Sequence, residues 1–361
     1  MNLLQCVKRL FLFLKSLYLR HFRNYTEARI FFGPKINVIM GGNAQGKSNL
    51  LEAISLISTG RSFRTQHLSE AIQQGHTFFC LEAEILRDGV LHTLKLLFDG
   101  KNKKLSLDAN EFSSFAPLLG TFPSILSLPE DTNLITDSPS TRRRFLNLHL
   151  AQSDSLYLHH LSRFWRSMKQ RNCLLKSQRE ASLDCWELEM ATSAQYLFQA
   201  RTLFLQQLND PFYKYSNTLS SRAESVSIRF QPTYPSLPES YVELLKKTRK
   251  QEFEIGHTLR GPHRDDLLFF INDQKAEHFA SQGQKKTLAI ALRFAQWSHL
   301  IDQYACPAFM AIDDVGSMLD LSRQEQLHTQ LECMQQVFLT TPSPLPHISD
   351  AHLISLPMKN K

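Results

Sequence analysis

The chain has no run of 18 consecutive apolar residues, which rules out a helix long enough to span a bilayer. Its six cysteines (Cys6, Cys80, Cys173, Cys185, Cys306, Cys333) are scattered and form no C-x-x-C pair. Neither a disulfide framework nor a thiolate metal site is indicated, and they read as small buried hydrophobes in a reducing cytosol. The 14 histidines show no metal-ligand spacing beyond His159-His160, an adjacent pair that suits a helix surface, so no protein-bound zinc is expected. No internal repeat appears, which excludes solenoids and propellers. A secretion leader is also lacking: Leu10 to Leu14 follow Lys8-Arg9, but the run is short, is broken by Lys15 and has no small-residue cleavage site.

What is present is ordinary globular material, 361 residues with 42% hydrophobic and 21% charged, enough for one large core and a smaller lobe. The net charge of +7 is concentrated at Arg142-Arg143-Arg144, Lys246-Lys247, Arg249-Lys250 and Lys285-Lys286. Such patches suit a polyanion and equally suit a solvated face.

Alternating apolar residues Leu17, Leu19 and Phe22 predict an opening strand. A buried-strand run from Phe32 to Met40 leads into glycines and then into the helical spacing of Leu50, Leu51, Ala53, Ile54 and Ile57. Asp88-Gly89 and Asp99-Gly100 separate further alternating runs and signal hairpins. The texture changes at Ser138-Pro139, where serine suits a helix cap and proline the first turn. Two periodic stretches follow, Tyr157 to Met168 and Trp186 to Phe204, around a polar break, and predict an antiparallel helical arm. After Pro232, Pro235 and Pro238, strand-like runs return at Asp265 to Ile271, Ala308 to Ile312 and Val337 to Thr340, with a helix from Gln284 to about Gln303. The expectation is an α/β protein, a head of mixed sheet and helices. Its first half is residues 1–135, a helical arm is inserted at 136–254, and its second half is 255–361.

Gly41-Gly42-Asn43-Ala44-Gln45-Gly46-Lys47-Ser48, with Asn49 behind it, fits the phosphate-loop pattern between a strand and a helix. Small residues let consecutive N–H groups face phosphates, and the helix amino-terminus adds a favourable dipole. Lys47 would neutralise β- and γ-oxygens and Ser48 would ligate Mg²⁺. Asp313, at the end of Phe309-Met310-Ala311-Ile312, would complete the Mg²⁺ sphere, and Asp314 would orient or deprotonate the attacking water. Ser281-Gln282-Gly283-Gln284 opens a helix whose free N–H groups suit an anion. A plain helix cap explains that string alone. Placed shortly before Asp313 it reads as a signature segment that meets ATP across a dimer interface. Leu319-Asp320 then suits a dimer-contacting loop, and Thr340-Thr341 a γ-phosphate sensor.

Together these motifs resemble the ATP-binding-cassette ATPases and, within them, the RecF family of bacterial DNA repair proteins, over roughly residues 14–345. Further pieces carry the resemblance: Phe22-Arg23-Asn24-Tyr25, Gly60-Arg61-Ser62-Phe63-Arg64, Pro129-Glu130-Asp131, Arg142-Arg143-Arg144-Phe145, Lys169-Gln170-Arg171-Asn172 and Gly261-Pro262-His263-Arg264-Asp265-Asp266. The resemblance implies a cytoplasmic protein that binds DNA, dimerises on ATP and hydrolyses it slowly, with DNA stimulation. It also implies action at gaps or single-/double-strand junctions with RecO and RecR to help load RecA. Arg142, Arg143, Arg144, Lys169 and Arg171 are the candidate DNA-phosphate contacts, while His263-Arg264 beside two acids equally suits a salt-bridge cluster. The chain departs from the family at Asn147, where an aspartate is usual, at Gly316 and Met318, and in about 11 leading residues. A transporter ATPase would be shorter and carry Ser-Gly-Gly-Gln. An SMC protein would need a far longer coiled coil, and a helicase a second motor domain. A non-enzymatic scaffold is the remaining alternative.

Overall fold

The computed structural model describes residues 11–220, 224–304, 307–315, 321–343 and 350–357. The loop containing Gly316, Met318, Leu319 and Asp320 lies outside them, as do Cys6, Cys306 and the leading residues.

The first strand, β1 (Leu12–Phe22), buries Leu12, Leu14, Leu17, Leu19 and Phe22. The change from even to odd positions among the leucines is permitted by a register shift between Leu14 and Ser16 where β1 meets strand Phe79–Arg87, a bulge that returns the leucines to one face. β2 (Tyr25–Phe31) pairs with its other edge. β3 (Ile36–Met40) enters a different sheet and leads into α1 (Lys47–Thr59). The chain then returns through β4 (Phe79–Arg87), β5 (Val90–Phe98), β6 (Lys103–Leu107) and β7 (Asn110–Phe112). These complete a six-stranded antiparallel sheet in the order β2-β1-β4-β5-β6-β7. Asp88 and Gly89 both take positive φ (51° and 85°), as a two-residue hairpin requires.

A second sheet is parallel, in the order β14-β3-β13-β12-β8, built from β8 (Ser124–Ser127), β12 (Phe309–Ile312), β13 (Val337–Thr341) and β14 (His352–Ser355) around β3. Its residues alternate between two cores. Phe309, Ala311 and Phe338 join α1 and the antiparallel sheet, whereas Met310, Ile312, Val337 and Leu339 join the helices on the far side. Helix α1 is therefore enclosed between two sheets, and every residue from Leu50 to Thr59 is buried.

The far-side helices are α2 (Asn133–Thr136), α3 (Pro139–Ser153), α4 (Ser155–Lys176), α5 (Leu183–Ser220), α6 (Pro238–Ile255), α7 (Ala276–Phe279), α8 (Gln282–Tyr304) and α9 (Leu321–Glu332). The predicted arm is α4 and α5. Arg171 pairs with Glu187 near the turn, Arg163 with Glu189, and Asp154 with Tyr196 farther out, so the two helices run antiparallel. Ser138 does not cap α3; its hydroxyl bonds Ser140 Oγ instead. Of the described cysteines only Cys80 is buried, and Cys173, Cys185 and Cys333 are exposed, contrary to expectation.

The division at 254/255 also needs correction. β9 (Val226–Gln231) pairs antiparallel with β10 (Asp266–Ile271), which carries β11 (Gln274–Lys275), so a three-stranded sheet crosses that boundary. The arm and the second half of the head share one core. No described helix is long and apolar enough to cross a membrane.

Candidate nucleotide site

The glycine loop leaves β3 and closes on the amino-terminus of α1, at the carboxyl end of the parallel sheet where such folds gather ligands. Gly46 is required by its backbone: φ is 103°, and an added Cβ would stand 2.8 Å from the Asn24 side chain. Gln45 Oε1 accepts from the Gly42 N–H at 2.5 Å, which pins the loop from inside. Lys47 Nζ donates to the carbonyls of Gly41 (2.7 Å) and Gly42 (2.9 Å), so its charge lies along the loop. A phosphate offered to the helix amino-terminus would meet this ammonium and the first-turn N–H groups together.

The acids arrive from β12. Asp313 Oδ1 accepts from Ser48 Oγ at 3.0 Å and from Thr340 Oγ1 at 2.5 Å, while the Asp313 N–H donates to Ser127 O at 2.9 Å. Thr340 Oγ1 also accepts from the Asp314 N–H at 2.8 Å. The structure thus brings Lys47, Ser48, Asp313, Asp314 and Thr340 together from three elements. Ser48 hydroxyl and Asp313 carboxylate form a pair of hard oxygen donors, which suits Mg²⁺. Asp314 has φ of 51°, an uncommon backbone for a non-glycine residue. Thr341 Oγ1 donates instead to Ser343 O at 2.7 Å, so of the two threonines it is Thr340 that faces the acids.

Residues that motif reading did not assign a role hold α1 in place. Arg23 forks onto buried Glu52 (2.8 and 2.7 Å), and Ser62 Oγ donates to the same carboxylate at 2.5 Å. Tyr25 OH donates to Gly46 O at 3.1 Å. Asn49 donates to Asn24 Oδ1 at 2.8 Å and accepts from Arg64 at 2.5 Å. The only sequence signal for them was their place in Phe22-Arg23-Asn24-Tyr25 and Gly60-Arg61-Ser62-Phe63-Arg64.

Ser281 and Gln284 form a reciprocal capping box. Ser281 Oγ accepts from the Gln284 N–H (3.2 Å), and Gln284 Oε1 accepts from the Ser281 N–H (2.7 Å). Gln284 Nε2 reaches Glu224 at 2.8 Å. Among the described residues, the hydrogen bonds of 281–284 do not reach 41–49. Ser281 and Gln282 are exposed at the start of α8 and Gly283 is half-buried.

A family model for the RecF/RecN/SMC N terminal domain matches residues 13–351. The chain is 41% identical over 358 residues to the DNA replication and repair protein RecF of Protochlamydia amoebophila (strain UWE25), covering 96% of this chain and 99% of the relative. It is 37% identical to RecF of Chlamydia trachomatis serovar L2, covering 90% and 91%. The chain belongs to the RecF family. A solved structure of the recombination mediator protein RecF with ATP, of the RecFOR pathway, superposes with TM-score 0.88 at 28% identity, covering 94% of each chain. Its ATPrS form superposes with TM-score 0.87 at 27% identity, covering 96% of each. An Smc head bound to the winged-helix domain of ScpA shares the fold, with TM-score 0.59 at 15% identity over 96% of this chain and 94% of that one.

Within this RecF-family fold the five basic residues considered for DNA fall into two groups. Arg171 is fully buried between Glu187 (3.0 Å) and Glu252 (2.6 Å) and also donates to Thr258 Oγ1. Arg142 is 4% exposed and forks onto Asp266 at 2.7 and 2.9 Å. Both are corrections to the expectation of phosphate contacts: their charges are spent inside the protein. Lys169 and Arg144 are exposed and Arg143 is half-buried. Asp265 pairs with buried Arg201 at 2.6 Å, so the two acids after His263-Arg264 are structural. Half-buried Asn147 accepts from Tyr157 OH (2.6 Å) and Arg201 (3.0 Å), bonds that its amide oxygen makes without a charge.

Proposed function

We propose that this chain is an ATP-gated DNA-binding protein of recombinational repair and replication, a homodimer when ATP–Mg²⁺ is bound and a slow, DNA-stimulated ATPase. The observation that carries it is the convergence of Lys47, Ser48, Asp313 and Thr340 at one sheet end, while Ser281 opens a helix elsewhere on the surface. The loop amides and Lys47 hold the phosphates, and Ser48 with Asp313 hold Mg²⁺, which draws charge from the phosphate oxygens when bound. Asp314 accepts a proton from the attacking water at its carboxylate. Among the described residues no hydrogen bond joins Ser281 to Gln284 with that cluster within one subunit, which supports the reading that they complete the site of a partner copy. Of the five candidates, Lys169, Arg143 and Arg144 remain available to DNA phosphates, with affinity falling steeply with salt. RecO and RecR as partners are supported by the RecFOR pathway named for the solved relatives, and assistance to RecA loading at gaps is read from the family resemblance.

Sedimentation of the pure protein with and without ATP–Mg²⁺ tests this reading. Wild type should dimerise with ATP. Lys47→Met should neither bind ATP nor dimerise, and Ser281→Arg should bind ATP and remain monomeric. A wild type that binds ATP and stays monomeric would refute the composite site.

A further inference from the structure

A cleft of about 470 Å³ lies between the carboxyl end of α1, helices α3 and α4, and the turn at Pro262-His263. It is separate from the phosphate loop, which sits at the opposite end of α1, a 13-residue helix about 20 Å long. Its size falls in the range of small-ligand sites. Four arginines line it, and no aspartate or glutamate does among the described residues.

Those arginines are not equivalent. Arg201 is neutralised by Asp265. Among the described residues Arg61, Arg143 and Arg144 have no carboxylate within ion-pair distance. Arg143 donates to the Asp265 backbone carbonyl at 2.8 Å and Arg144 to the Ser62 carbonyl at 3.3 Å, so each is oriented without being neutralised. Burial and the neighbouring Arg201 and Arg264 push the Arg143 pKa down although Asp266 and Asp265 push it up. A half-buried cation that lacks its own carboxylate is costly, and an anion delivered to it relieves that cost. Beside these charges Trp165 lies 46% exposed, an aromatic ring without full cover. Ser140 and Ser162 add hydroxyls to the rim.

From the charge, the half-exposed ring and the volume, we infer that this cleft is a second anion site that takes a nucleotide unit, its phosphate on Arg61, Arg143 and Arg144 and its base against Trp165. Guanidinium forks match phosphate oxygens, and bases of any sequence stack on an aromatic face. A free mononucleotide and the 5′-phosphorylated end of a DNA strand present the same chemistry.

The test uses the full chain carrying Lys47→Met, so that the phosphate loop does not bind the probe. Equilibrium dialysis would measure AMP, adenosine, and a tetranucleotide with a 5′-phosphate or a 5′-hydroxyl, with tryptophan fluorescence read in parallel. Saturable binding of AMP identifies the free nucleotide as the source, and binding of the 5′-phosphorylated tetranucleotide alone identifies the strand end. In either case the Arg61→Gln/Arg144→Gln pair, both exposed and so tolerated by the fold, should weaken binding at least tenfold. Arg143→Lys should weaken it less than Arg143→Gln, and Trp165→Leu should abolish the quench. The inference is overturned if neither phosphorylated probe saturates at millimolar concentration. It is equally overturned if adenosine and the 5′-hydroxyl strand bind as well as their phosphorylated forms, or if the double variant binds unchanged.

Discussion

Arg171 and Lys169 stand two positions apart on α4, and the helix sends them to opposite surroundings. Tyr157, Phe164, Ser167, Met168, Arg171 and Leu175 are the buried positions, recurring at helical spacing, so Arg171 belongs to the buried stripe and Lys169 to the solvent face. The same holds in α3, where Arg142, Phe145, Leu146 and His149 share the buried face. Periodicity therefore carried the signal that these arginines are internal, and reading them as members of a basic cluster overrode it. The energetic consequence is large. Arg171→Met leaves Glu187 with Arg249 alone and Glu252 without a cationic partner, and breaking a buried pair from one side costs about 3–5 kcal/mol. Urea denaturation should show that loss for Arg171→Met and less than about 0.5 kcal/mol for Lys169→Ala, which touches neither acid. Comparable stabilities for the two variants would refute the assignment.

At the scale of elements, legibility tracked how much of each element's stabilisation is local. The glycine loop, α1, the Asp-Gly hairpins and the two arm helices have their causes within a few residues, and the sequence placed them. Strands β8 and β14 did not appear in that reading, because four residues offer too little alternation and their pairing partners lie far along the chain. β9 was absorbed into the helical arm for the same reason, since its partner β10 is supplied from beyond α6. The orientation of α1 is also a long-range property. Glu52, buried in its second turn, is the point on which Arg23 from the β1–β2 turn and Ser62 from the following loop converge. Glu52→Ala would leave a guanidinium and a hydroxyl without that partner, at a cost of about 3 kcal/mol, the low end for a buried pair because Arg23 is partly exposed. Because the helix amino-terminus is the proposed phosphate site, the same variant should bind ATP at least tenfold more weakly. Thermal unfolding and a nucleotide titration check the two effects. A destabilised variant with unchanged ATP affinity would show that the strut serves stability alone.

Across the whole molecule, the helices on the far side of the parallel sheet are joined by histidines that fold uncharged. His149 on α3 bonds His299 on α8 at 3.0 Å, and His299 Nε2 reaches Gln207 Oε1 on α5 at 3.1 Å. The glutamine oxygen can only accept, so His299 Nε2 carries the proton and His299 Nδ1 accepts from His149 Nε2–H. This relay has no place for an added proton on His299 Nδ1. Burial lowers His299 to about 4, with Asp302 opposing, and lowers His149 well below its usual value, with His299 and Arg293 adding to the effect. His263, under Phe164 and near Arg264, is likewise lowered by burial to about 4. For such a group the unfolded chain binds the proton first. The stabilisation is complete above pH 6.5, is lost as pH falls, and is gone below about pH 4. At pH 5 the expected loss is about 2 kcal/mol each for His263 and His299. Urea midpoints at pH 7.5 and pH 5 should therefore differ sharply in wild type. His299→Gln should recover about 2 kcal/mol of the difference, because the amide does not titrate. The neighbouring carboxylates act on both proteins alike, so an equal pH slope in the variant would remove this relay from the account.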